Sequence, residues 1–245
     1  MAVLTPKQRE IADRERLILD VGRRLLIDHG LPGLSMDRIA EAIDYSKGTV
    51  YQHFSSKEDV VAALFIETLA KRTAMFQRAA AFRGTTRERV TAIGVADRLF
   101  VTQHPDHFRI ENLADLDAVF AKTSVERQES RKRIKRSMME ALDAIVADAV
   151  AAGDLSLPDE VPYCQTMYGL WTLSVGHHTL ENSRDKTEYM ALRPGWLPLW
   201  NNYLALLDGY GWAPLSQDWD YVASRDKIVA EVFPEFDRHA ADFED

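Results

Sequence analysis

One cysteine, Cys164, is present among 245 residues. An intramolecular disulfide is therefore excluded, and a reducing compartment fits. No apolar run approaches the roughly 20 residues that a membrane-spanning helix needs, so no membrane partner is expected. The apolar run in Met1–Glu10 is too short for a signal peptide, and a cytoplasmic location is expected. The sequence also lacks a Gly-rich phosphate loop, a nucleophile elbow and a His-Glu metal-binding pattern, and Cys164 has no obvious base near it. These absences argue against an enzyme, and no cofactor or metal is expected. Strand patterns and internal repeats are missing too, which leaves an all-α chain. Hydrophobic residues make up 46%, ordinary for a globular protein, and the length allows one large or two modest domains.

What is present is concentrated near the start. Ser35 can cap a short helix, and Asp37 favours its positive end. Met36, Ile39, Ala40 and Ile43 fall on one face of that helix. Asp44-Tyr45 reads as a turn, because Asp tolerates a left-handed backbone better than most residues. Ser46 caps the next helix. Val50 and Phe54 point inward at spacing i, i+4, leaving Lys47, Thr49, Tyr51 and His53 outside. Gly48 weakens a helix by about 1 kcal/mol relative to Ala, yet lets a backbone approach another surface closely. A helix, a tight turn and a second helix with such a face form a helix-turn-helix built to meet DNA.

The segment Ser-Lys-Gly-Thr-Val-Tyr-Gln-His-Phe-Ser-Ser-Lys-Glu-Asp at 46–59, preceded by His29-Gly30 and Leu34–Ala40, resembles the signature of the TetR family of bacterial repressors. The resemblance covers roughly residues 10–65. It departs from the family pattern at Ile43-Asp44-Tyr45, where a small residue, Gly and Val are usual. It implies an all-helical homodimer: a three-helix DNA-binding domain over 1–56, and an effector-binding and dimerisation domain over 57–245. Carried over, Thr49, Tyr51, His53 and Lys57 resemble phosphate clamps. Ser35 would donate to a phosphate, and Tyr45, Lys47 and Gly48 stand where base contacts are commonly made. Phosphate contacts set register and base contacts choose sequence.

Residues 1–60 carry nine Lys/Arg against ten Asp/Glu, a net of −1, so −7 of the chain's −8 lies beyond residue 60. A near-neutral reader must gather its positive charge on one face, while the acidic remainder repels DNA.

Helix punctuation continues along the chain. Thr5-Pro6-Lys7-Gln8 offers a cap, a first-turn proline and a capping-box glutamine, and Gly30 stops that helix. Ser55–Asp59 opens a long helix to about Arg83. Further helices are expected at about 86–103, on to about Phe120, 124–152, 159–182 and 194–207, with one or two short ones within 216–240.

Two of these, 160–182 and 194–207, are expected to form a four-helix dimer interface through Trp171, Val175, Trp196, Trp200, Tyr203, Leu204 and Leu207. An effector pocket is expected inside the body. Candidate lining residues are Phe65, Leu69, Phe76, Phe100, Phe108, Leu113, Phe120 and Met139, with Tyr168, Trp171 and His177 behind. All are also plausible plain core, and the expected ligand is apolar or amphipathic. His104-Pro105-Asp106-His107 offers at best a weak metal set, and adjacent His177 and His178 diverge by about 100° on a helix. Glu126, Glu129 and Glu140 lie among Arg127–Arg136, so that basic run reads as a solvated face. The apolar tail beyond Gly211 should pack on the body or extend the dimer interface.

The expected function is a ligand-responsive regulator. A dimer blocks a palindromic double-stranded operator and is released when a small molecule moves the 57–83 helix. Activation on the same fold, or a helical scaffold without DNA binding, are the alternatives.

Overall fold

In the computed structural model, residues 5–113, 116–157, 162–181 and 196–236 are described. All regular structure among them is helical: α1 Pro6–Gly33, α2 Met36–Ala42, α3 Lys47–His53, α4 Lys57–Ala80, α5 Thr86–Gln103, α6 Pro105–Leu113, α7 Leu116–Phe120, α8 Val125–Ala152, α9 Tyr163–Glu181, α10 Trp196–Gly209 and α11 Tyr221–Val232, with a 3₁₀ turn at Ser216–Asp218. No described helix is long and apolar enough to cross a membrane.

Local chemistry sets most boundaries. Thr5 and Gln8 close a reciprocal capping box on α1, with Pro6 in the first turn. Gly30 sits at φ 66°, ψ −176°, breaking that helix where the sequence places its stop. The Ser35, Ser46 and Ser56 hydroxyls accept from the backbone N–H three residues on. Asp59 returns a bond to the Ser55 N–H at 3.1 Å. Asp44 takes φ 56° between α2 and α3, the left-handed turn that its side chain tolerates. The long helix α4 ends at Ala80, short of the expected Arg83. Thr85 and Glu88 then form a second capping box.

The chain divides into two compact units. The first comprises residues 1–71 and 105–134. Its centre is built from Ile18, Leu26, Leu34, Ile39, Val50, Phe54, Val60 and Leu64, all buried. Helix α6 packs on α1, and α2 packs on both α1 and α3. A Cβ at Gly22 would lie 2.8 Å from Val60 Cγ1, so α1 and α4 meet here because position 22 has no side chain.

The second unit comprises 72–104 and 135–245. Helix α5 is buried along almost its whole length and forms the unit's axis. Helices α9 and α11 pack on it, and α10 packs on α9. The tail joins this unit: Trp212, Ile228, Val229 and Phe233 are buried. Trp212 Nε1 donates to Thr86 Oγ1 at 3.0 Å. The fully buried Arg87 meets Asp208 at 2.6 Å and donates to the Trp212 carbonyl. Arg87 Nη1 and Trp212 Nε1 thus each donate to a partner, as buried polar groups generally do.

Candidate functional site

Helix α3 presents the expected face with one exception. Val50 and Phe54 are buried, while Tyr51 is 52% exposed and Tyr45 is 41% exposed beside it. Lys47 is also exposed, its Nζ 2.6 Å from Asp37 Oδ2. The hydrogen bond and charge of Asp37 raise the Lys47 pKa, so the side chain stays cationic. Thr49 Oγ1 lies 2.9 Å from Ser46 Oγ. Outside its chain neighbours and the backbone of its own helix, a Cβ on Gly48 would come no nearer than 3.6 Å to another atom, Ser46 Oγ. The packing around position 48 therefore leaves room for a side chain.

The exception is His53. Its side chain is turned inward, with Nδ1 3.5 Å from Glu15 Oε1 on α1. The i, i+4 spacing of Val50 and Phe54 put it outside; a carboxylate on a different helix faces it instead. Ser35 caps α2 with its oxygen, which keeps its hydroxyl hydrogen free to donate elsewhere. Lys57 donates to the Leu31 carbonyl at 3.2 Å, and Arg38 to the Gly33 carbonyl at 2.7 Å. Both cations are held at the end of α1. Tyr45 lies under the Arg14 guanidinium, 5.7 Å from its ring centroid.

The basic run of α8 is not merely a solvated face. Arg127 pairs with Asp59 and lies over the Phe54 ring; Arg131 pairs with Asp117 at 3.2 Å and lies 4.3 Å from the Phe120 centroid. The partners come from other segments of the first unit, which sequence spacing does not reveal.

The candidate pocket residues divide between the units. Phe65, Leu69, Phe108 and Phe120 are buried in the first, and Phe76 and Phe100 in the second. The Leu113 side chain lies outside the described residues. Met139 of the lining set, and Tyr168 and Trp171 of the set behind it, are exposed, while His177 is half-buried. The dimer candidates also separate. Trp200, Tyr203, Leu204 and Leu207 are buried within their own unit and are not available to a second chain. Trp171 is 58% exposed, next to Tyr168 at 60%. Val175 is half-buried, and the Trp196 side chain lies outside the described residues.

A cluster that the sequence reading missed lies in the second unit. Asp97, 6% exposed, receives Arg72 Nη1 at 2.7 Å and the Ser174 hydroxyl, with His178 Nε2 at 3.3 Å. Glu181 receives Arg98 Nη1 at 2.5 Å, and His178 Nδ1 and His177 Nε2 lie 3.6 and 3.7 Å from the same oxygen. Burial opposes ionisation of Asp97, but the Arg72 charge and the His178 and Ser174 hydrogen bonds outweigh it, holding the carboxyl well below the usual range. Glu181 is likewise opposed by burial, yet His178 and Arg98 bring it down to about 2. Burial lowers His178, but hydrogen bonds to Asp97 and Glu181 win and raise it. Tyr203 is pushed up by burial and by the Asp97 charge. The signal was Asp97-Arg98 inside the apolar stretch Val95–Val101, since charges are rarely buried unless paired.

His104 and His107 are occupied otherwise. His107 Nδ1 lies 2.7 Å from Thr68 Oγ1, and His104 sits edge-on to Phe100 and Phe236.

Residues 18–64 match the model of the bacterial regulatory proteins of the tetR family. The HTH-type transcriptional repressor AcnR of Corynebacterium diphtheriae is 36% identical over 62 residues, 25% of this chain and 33% of that protein. An HTH-type transcriptional regulator of Mycobacterium tuberculosis is 44% identical over 54 residues, 22% of this chain and 27% of its own. The match thus spans only about a third or less of these curated relatives. A solved TetR/AcrR-family regulator from Thermobifida fusca shares the fold, with a TM-score of 0.55 and 24% identity over 81% of this chain and 98% of that one. The capped α2–turn–α3 segment lies inside the residues that match the model of the tetR family of bacterial regulatory proteins.

Proposed function

We propose that this protein is a DNA-binding transcription regulator that acts as a homodimer and responds to a small molecule. The observation that carries the reading is the exposed Lys47–Tyr51 face on α3, with an open Gly48, inside the segment that matches the family. Lys47 and Tyr45 would contact bases; Thr49, Tyr51, Ser35 and Lys57 would hold phosphates. Lys47 must leave Asp37 to do so, a small cost for an exposed pair. The reading domain is assigned to residues 1–56 and the responsive body to 57–245.

The exposed side of α9 supports dimerisation. Tyr168, Trp171, Thr172, Val175, Gly176 and Thr179 follow the i, i+3, i+4, i+7, i+8, i+11 spacing of one helix face. Two large aromatics together at this exposure mark an association surface more than a solvated one. A twofold assembly would read a palindromic site. The effector is proposed to be apolar or amphipathic and to bind the DNA-released form better, each tenfold difference amounting to about 1.4 kcal/mol.

Selection from a random-sequence duplex pool tests the reading. The wild type should enrich a palindrome, and Lys47→Ala/Tyr51→Ala, with unchanged helical circular dichroism, should lose that enrichment. Enrichment of the same palindrome by the double variant refutes the assignment of α3.

A further inference from the structure

We propose that His177, His178 and Glu181 bind one divalent transition-metal ion in the second unit. Each offers one ligand atom, and the three atoms lie within 4.8 Å of one another. Adjacent positions on a helix diverge by about 100°. Here the two rings nonetheless stand 5.4 Å apart, and both turn to the same Glu181 oxygen one turn further on. Ligand atoms of a tetrahedral zinc stand about 3.3 Å apart, given metal bonds of about 2.0–2.1 Å.

The surroundings are those of a ligand set. The other ring nitrogen of His178, Nε2, faces Asp97 at 3.3 Å, which is the carboxylate–histidine–metal arrangement that orients a ligating ring. Asp97 is in turn fixed by Arg72 and Ser174. Arg98 donates to the same Glu181 oxygen that the two rings face, and a carboxylate with about four lone-pair positions can accept it and a metal together. Two imidazole nitrogens and one carboxylate oxygen suit zinc, cobalt, nickel or copper; magnesium and calcium prefer all-oxygen sets. Three protein ligands leave a fourth position for water or a small ligand, unlike a closed structural zinc site. The proposal is independent of DNA reading by α3.

The full chain, stripped with a chelator, is titrated with Co²⁺ and its visible d–d absorption followed, with Zn²⁺ as competitor. One Co²⁺ per chain in tetrahedral coordination, displaced by Zn²⁺, is expected. His177→Ala and Glu181→Gln should each weaken it by about tenfold or more, and His104→Ala should leave it unchanged. If Glu181→Gln unfolds, His177→Ala decides, because that half-buried ring lies at the edge of the buried ion pairs. Absence of a tetrahedral cobalt spectrum, undiminished binding in His177→Ala, or loss only in His104→Ala overturns the proposal.

Discussion

Asp97→Asn removes one buried charge and changes almost no volume. The carboxylate is 6% exposed and faces Arg72, Ser174 and His178. The variant leaves Arg72, Arg98 and His178 sharing one buried carboxylate fewer. His178 can shed its charge by losing a proton, but the two guanidinium groups cannot. Breaking a buried pair from one side costs about 3–5 kcal/mol, because the remaining charge stays out of water. For domains of this size each kcal/mol lowers the melting temperature by about 2–4 °C, so the expected fall is roughly 6–20 °C. Asp37→Asn is the control. Its carboxylate also pairs at 2.6 Å, with Lys47, but both side chains are exposed, and the cost should stay within about 0.5 kcal/mol. Thermal melts by circular dichroism at neutral pH compare the two variants directly. Equal melting temperatures for Asp97→Asn and Asp37→Asn would mean that burial does not amplify this pair, and the account of the cluster fails.

Two further outcomes follow from contacts elsewhere. At Gly22, alanine gains about 1 kcal/mol of helix propensity but sets its Cβ against the stiff Val60 Cγ1, an overpacking cost of about 1–3 kcal/mol. Gly22→Ala should therefore destabilise, and Val60→Ala in the same chain should recover part of the loss; purely additive denaturant-unfolding energies would refute the close approach. Asp208 is opposed by burial, but bonds from Ser216 and the Arg87 charge hold its pKa below the ordinary carboxylate value. A depressed acid stabilises above its unfolded pKa and is lost as pH falls through its folded one. The segment around Ser216 should therefore loosen in acid below the usual Asp range, and Asp208→Asn should abolish that step in hydrogen exchange of the Ser216 amide, whose N–H is 3.0 Å from Oδ1.

Features settled within one helical turn were legible in the sequence. Thr5-Pro6-Gln8, Ser35 and Ser46 cap their helices because donor and acceptor are three residues apart whatever the rest of the fold does. Asp44 turns the chain between α2 and α3 for the same kind of local reason. Tyr51 and Lys47 stay outside because Val50 and Phe54 fix which side of α3 goes in.

Tertiary structure decided what depends on the partner helix. His53 has the spacing of an exposed residue, and only the approach of α1 brings Glu15 to it. Helix α10 is apolar nearly all round, so its pattern could not say that Trp200, Tyr203, Leu204 and Leu207 serve their own core rather than a twin. The Arg72–Asp97–Ser174–His178–Glu181 cluster draws on α4, α5 and α9, with Asp97 and Ser174 separated by 77 positions in the chain. A buried charge is tolerable only beside its counter-charge, and sequence spacing carries no information about distances across that many residues.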